Sequence, residues 1–158
     1  MTAARRPLRT DIVPELSIDG AAAAIDFYGE AFGAEELFRH EAPDGRIIHG
    51  ETSFDGFVVF VVDDFPEFND GKGSSPTAIG GTPICLHRDV VDVDAAVDRA
   101  VAAGATLLMG PEDMFWGDRY ARLSDPFGHQ WSLATPGSGP DPEAEAAMMD
   151  GFPEGEDE

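Results

Sequence analysis

Apolar and polar positions along this chain follow a pattern that is run through twice. DIVPELSI reads as a strand, and Asp19-Gly20 opens a helix through AAAAIDFYGEAF. Ile25, Tyr28 and Phe32 lie three and four apart, which places them on one helical face, and Gly33 supplies a C-cap. EELFRHE, RIIHGETSF and FVVFVVD follow as strands, separated by the turn signals Pro43-Asp44-Gly45 and Asp55-Gly56. The second pass begins with the strand TPICLHRDV. Asp92 caps a helix through VDAAVDRAVAA, with Val93, Val97, Ala100 and Val101 on its inner face, and Gly104 ends it. ATLLM is a strand, GPEDMFWGD a loop, RYARLSD a strand, Asp125-Pro126-Phe127-Gly128 a turn, and HQWSLAT the last strand.

Each pass is βαβββ, and the two align at a nearly fixed offset. Ile25-Asp26 matches Val97-Asp98 at 72 residues, Gly33 matches Gly104 at 71, Arg46 matches Arg119 at 73, and Gly56 matches Gly128 at 72. Two copies of so long a unit exclude a solenoid. They predict an α+β fold of two curved mixed sheets, each covered on one face by a helix, with concave faces that enclose a pocket. The predicted organisation is an N-terminal arm over 1–9, a first module with its linker over 10–74, a second module over 75–136 and a tail over 137–158. FPEFNDGKGSSPTAIGG, between the modules, reads as a flexible linker.

Charge narrows the partners. The chain has 158 residues, with 10 Lys+Arg against 31 Asp+Glu and a net charge of -21. That sign is wrong for nucleic acid, which needs a basic footprint, and right for cationic ligands. Eight of the acidic residues lie from Gly137 onward, where no basic residue occurs. This tail reads as disordered or docked, with PEAEAAMM as its helical hint. No apolar run reaches the roughly 18–20 residues of a membrane span, and no secretory leader is visible, which predicts a cytoplasmic protein. One cysteine, Cys85, excludes a disulfide framework.

SIDGAAAAIDFYGEAFGAEELFR resembles the opening of the vicinal oxygen chelate superfamily, which contains glyoxalase I, bleomycin-resistance proteins and extradiol dioxygenases. PDGRIIHGE, GPEDMFWGDRYARLSDPFGH and QWSLAT are similar to its glyoxalase-like branch named after a phosphonate-operon protein. The likeness covers about residues 10–136. It implies paired βαβββ modules and a homodimer, on a fold that hosts isomerases, lyases, dioxygenases and pure binders.

Members that hold a metal take ligands from the first and last strands of each module. Carried over by the internal repeat, those positions are Glu15, Phe60, His87 and Ser132. Phe60 offers no lone pair and a neutral Ser132 hydroxyl is a poor ligand, so the resemblance implies a site without the family's metal. The alternative brings His49 and Glu51, two apart on one strand face, together with His87 and Glu15. That N/O cluster suits Zn, Ni, Mn or Fe. It would serve a metal-dependent lyase or isomerase with Glu51 or Glu15 as the base, or a dioxygenase. The alternative to such a cluster is that His49 is a hydrogen-bonded pocket or core histidine and Glu51 pairs with an arginine such as Arg46 or Arg119.

The loop from Pro111 to Tyr120 is rich for a connector. Phe115 and Trp116 are placed to cover a flat or cationic ligand, or else to seal the sheet or a dimer contact. Arg119 is placed to grip an anionic ligand group, or else pairs with Asp118 or Glu112. His129 reads as a surface or turn residue. The leading function is binding of a small cationic or aromatic molecule between paired modules.

Overall fold

The computed structural model describes residues 9–153. The arm predicted over 1–9 lies outside them except for Arg9, as do the last five residues of the tail. The first module runs β1 (Glu15–Ile18), α1 (Ala21–Phe32), β2 (Glu35–Glu41), β3 (Ile47–Phe54) and β4 (Phe57–Asp63). The second runs β5 (Cys85–Asp89), α3 (Val93–Ala103), β6 (Thr106–Asp113), β7 (Arg119–Ser124) and β8 (Gln130–Thr135). The sheets are ordered β1-β4-β3-β2 and β5-β8-β7-β6, each with one parallel pair and two antiparallel ones. The predicted duplication of βαβββ is therefore the architecture.

The duplication reaches single residues. Glu15 pairs with Phe60 across β1 and β4, and His87 with Ser132 across β5 and β8, each member 72 residues from its counterpart. Helix starts correspond as well. Asp63 Oδ1 accepts from the backbone N–H of Ala21, and Thr135 Oγ1 from that of Val93. The last strand of each module thus caps the first helix with a side-chain oxygen, which satisfies a donor that has no partner within the helix.

Alternation of side chains along the strands sorts the two faces. Leu16, Ile18, Val59, Val61, Thr52 and Phe54 point to the helices in the first module, and Ala121, Leu123, Trp131 and Leu133 do so in the second. Helix α1 packs on α3, so both modules share one core. Its centre is aromatic: Trp131 lies 4.6 Å from Phe32, 5.3 Å from Phe54 and 5.4 Å from Tyr28 between ring centroids. The opposite face of each sheet points away from this core and remains open.

Polar ties lock the modules together. Arg88 donates to the Phe32 carbonyl and to Asp55, and Arg99 to the Glu30 carbonyl. Asp125 is 4% exposed and accepts four hydrogen bonds. Its Oδ1 takes the N–H groups of Phe127 and His129, and its Oδ2 takes Tyr28 Oη–H at 2.8 Å and Trp131 Nε1–H at 3.0 Å. Burial and the neighbouring carboxylate hold the Tyr28 phenol well above its ordinary range, so it stays protonated and keeps donating.

Several predicted details are corrected. Val101 is 43% exposed, because only Val93, Val97 and Ala100 of α3 reach the core. The stretch GPED continues strand β6 rather than opening a loop. His129 is buried, with Nε2 3.0 Å from the Ser17 carbonyl of the other module. The linker predicted to be flexible contains a 3-10 turn at Pro66–Phe68 and a short helix α2 (Pro76–Ile79), whose N-cap is Ser75. Asp64 ties it down by accepting from the backbone of Ser74 and Ser75. Part of the tail forms helix α4 (Pro142–Met149), capped by Asp141.

Candidate functional site

The two open sheet faces carry the candidate residues, and each holds a different set. On the first, β1, β4 and β3 bring Glu15, Phe60, Glu51 and His49 into adjacent register positions. The His49 and Phe60 rings meet edge-on at 4.6 Å, and His49 Nε2 lies 3.2 Å from Glu51 Oε1. Glu51 pairs with an arginine, as expected, but the partner is Arg9 at 2.5 Å rather than Arg46 or Arg119. Burial raises the pKa of the Glu51 carboxyl, but hydrogen bonds from His49 and Arg9 outweigh this and hold it below the usual carboxylate range.

On the second face, His87 and Ser132 sit side by side on β5 and β8, with Nδ1 2.8 Å from Oγ. His87 Nε2 lies 3.2 Å from Asp89 Oδ1. In the neutral ring, Nε2–H donates to Asp89 and Nδ1 accepts from the Ser132 hydroxyl. The imidazole is nearly parallel to Tyr120, with 6.4 Å between centroids, and Trp116 meets Tyr120 edge-on at 5.6 Å. Phe115 lies against Trp116 at 5.1 Å. A row of rings therefore crosses this face from the hairpin loop to the first strand of the module.

The loop is held from both sides. Trp116 Nε1–H donates to Asp118 Oδ2, and the Met114 N–H donates to the Asp118 carbonyl. The start of the tail braces it as well, since the Asp141 N–H donates to the Phe115 carbonyl at 2.8 Å. Gly117 has φ +103° and its backbone runs against Gly139, where a Cβ would collide. The tail thus docks on the aromatic loop.

Next to this face, a cavity of about 310 Å³ opens between the modules. Phe54, Val59, Cys85, Leu86 and Trp131 line it, and His87 stands in its wall. One aromatic face and one apolar recess therefore share His87.

Two predicted roles fail on geometry. Arg119 shares strand parity with Ala121 and Leu123, so it points to the helix side. There it donates to Asp94 and Asp113, and it is not available to a ligand on the open face. Its partners are Asp94 and Asp113, rather than the predicted Asp118 or Glu112, and the guanidinium holds the Asp94 carboxyl below its usual range. The cluster of His49, Glu51, His87 and Glu15 does not form within the chain. His87 lies on the second sheet and the other three on the first. Among the described residues, no group of three or more His, Cys, Asp or Glu side chains gathers at metal-holding distance.

The residues at the four repeat-related strand positions do not fit a transition ion either. Phe60 has no donor atom, and Ser132 contributes a neutral hydroxyl already engaged by His87. Glu15 and His87 alone fall short of the three or more N/O ligands such ions take.

Comparison with known proteins agrees with the fold. The model of the Glyoxalase/Bleomycin resistance protein/Dioxygenase superfamily matches residues 13–133. An uncharacterized protein of Mycobacterium tuberculosis is 51% identical over 123 residues, covering 78% of this chain and 72% of that one. The crystal structure of TioX from Micromonospora sp. ML1 superposes with a TM-score of 0.62 at 29% identity, covering 80% of this chain and 98% of TioX. A PhnB protein from Bacillus cereus has a TM-score of 0.60 at 17% identity, covering 80% and 99% of the two chains. That last likeness is one of fold alone.

Proposed function

This chain belongs to the Glyoxalase/Bleomycin resistance protein/Dioxygenase superfamily, and on that premise we propose that it binds a flat, cationic small molecule without a metal ion. The observation that carries this reading is the row of rings formed by Trp116, Tyr120 and His87 on the open face of the second sheet. Aromatic faces attract cations by roughly 0.5–2 kcal/mol each, more as water is excluded. Asp89, Asp118 and a chain charge of -21 set the local field in the same sense. His87, its ring oriented by the Ser132 hydroxyl, gives the platform a polar group to orient a ligand.

The donor set supports the metal-free form of this reading, because Phe60 and Ser132 stand where ligands would be needed. The open faces support a homodimer, in which a second copy covers each of them. Phe38, beside His49 on the first of these faces, is half exposed, and such surface favours a partner.

Trp116 reports on the site directly, since the other tryptophan, Trp131, is 2% exposed and lies on the core side of its sheet. Titration with a cationic acridinium dye is expected to quench Trp116 emission. Raising the salt from low levels to about 0.5 M should weaken the binding several-fold, as screening shortens to a few ångströms. Binding of equal strength at both salt concentrations contradicts the electrostatic part. A neutral planar compound that binds as tightly as the dye contradicts selection of a cation.

A further inference from the structure

We propose that the tail is an allosteric element of the aromatic row: residues 137–141 hold Trp116 in its ligand-ready place, and a cation on the rings in turn tightens the tail. The coupling rests on the row being the ligand site proposed above. It gives a role to a segment that adds no side chain to the rings themselves.

Asp118 joins the two. Its Oδ2 accepts from Trp116 Nε1–H at 3.1 Å and its Oδ1 from the Gly137 N–H at 3.3 Å, so one carboxylate fixes both the ring and the first residue of the tail. Four residues on, the Asp141 N–H donates to the Phe115 carbonyl at 2.8 Å, next to the same tryptophan. Between these bonds the two backbones touch, and a Cβ on Gly137 would fall on the Gly117 carbonyl oxygen. The tail therefore grips the residues on both sides of Trp116. Such a grip selects one placement for a side chain that is carried on a hairpin loop.

The grip is slight. Its two hydrogen bonds come from backbone N–H groups, and beyond Asp141 helix α4 buries no residue. Eight residues are too few for a helix to stand firmly alone. Charge opposes docking as well. Asp141, Glu143 and Glu145 open α4, while the loop side carries Glu112 and Asp118. Docked and undocked tails are therefore close in free energy, and a small bias moves the population. A cation on the Trp116 ring supplies that bias, since it lies beside Asp118 and offsets the repulsion between the two acidic segments. Undocking frees Asp118, and Trp116 with it.

Two substitutions loosen the tail without altering the loop. Gly137→Val drives the tail off Gly117, and Asp141→Pro removes the N–H that reaches Phe115. Without ligand, each should raise the quenching of Trp116 by acrylamide, read above the constant contribution of buried Trp131. The melting temperature should stay the same, because both positions are exposed. Each variant should bind the acridinium dye about 5–10-fold more weakly. Coupling is reciprocal, so saturating dye should slow hydrogen exchange at the Asp141 amide of the natural chain by the same factor. Unchanged quenching in both variants overturns the tail's hold on Trp116. Raised quenching with unchanged dye affinity overturns the coupling, as does an Asp141 exchange rate indifferent to the dye. A dye that binds none of the three proteins removes the ring site and the coupling with it, while the quenching alone still decides whether the tail holds the loop.

Discussion

Replacing Asp125 with Ala is expected to destabilise the protein by about 3–5 kcal/mol. The substitution removes a carboxylate that satisfies four donors from positions 28, 127, 129 and 131. Tyr28 Oη–H and Trp131 Nε1–H would remain in a core with no water to replace the acceptor, and each such orphan costs about 1–3 kcal/mol. The loss also cuts a tie between modules, since Tyr28 sits on α1 and Asp125 on the turn before β8. In a chain of this size the melting temperature should fall by roughly 10 °C. Tyr28→Phe removes a single donor and should cost about 1 kcal/mol. Thermal and urea unfolding of both variants checks this, and a loss below about 1 kcal/mol for Asp125→Ala would show that the carboxylate does not organise the core.

Trp116→Ala is expected to weaken binding of the acridinium dye by about 10–100-fold, since a central aromatic contact is typically worth about 1.5–3 kcal/mol. Stability should change little, because Trp116 is half-buried on a hairpin and makes its hydrogen bond to the side chain of Asp118 within the same loop. Calorimetry is the suitable measurement, as Trp131 is then the one emitter left. Trp116→Phe keeps a ring and should recover part of the loss. An unchanged affinity in Trp116→Ala would remove the aromatic row from the binding site.

Much of this arrangement is legible in the chain itself, because duplication supplies an internal alignment. The 72-residue offset that matches Ile25 with Val97 also matches Glu15 with His87 and Phe60 with Ser132, and within each sheet the two positions are register partners, Glu15 with Phe60 and His87 with Ser132. Strand parity along β7 was equally open to reading: Ala121 and Leu123 face the core, and Arg119 must share their side. The alternation of that short strand was the missed signal. Asp125 is harder to see. DPFG marks a turn, and nothing local shows that the same carboxylate reaches Tyr28, 97 residues away. The contact of the tail with Phe115 is likewise a matter of tertiary packing, as Pro, Gly and acid are compatible with both a docked and a loose segment. The pairing of Glu51 with Arg9 comes from a segment that has no periodicity to read.

The central claim is that the open face of the second sheet binds a cation through its rings and without a bound ion. One titration tests it most directly: the acridinium dye added to purified protein before and after exhaustive treatment with EDTA. The same affinity and the same Trp116 quenching are predicted in both samples. Binding that disappears with the chelator and returns on adding a divalent metal would contradict the account.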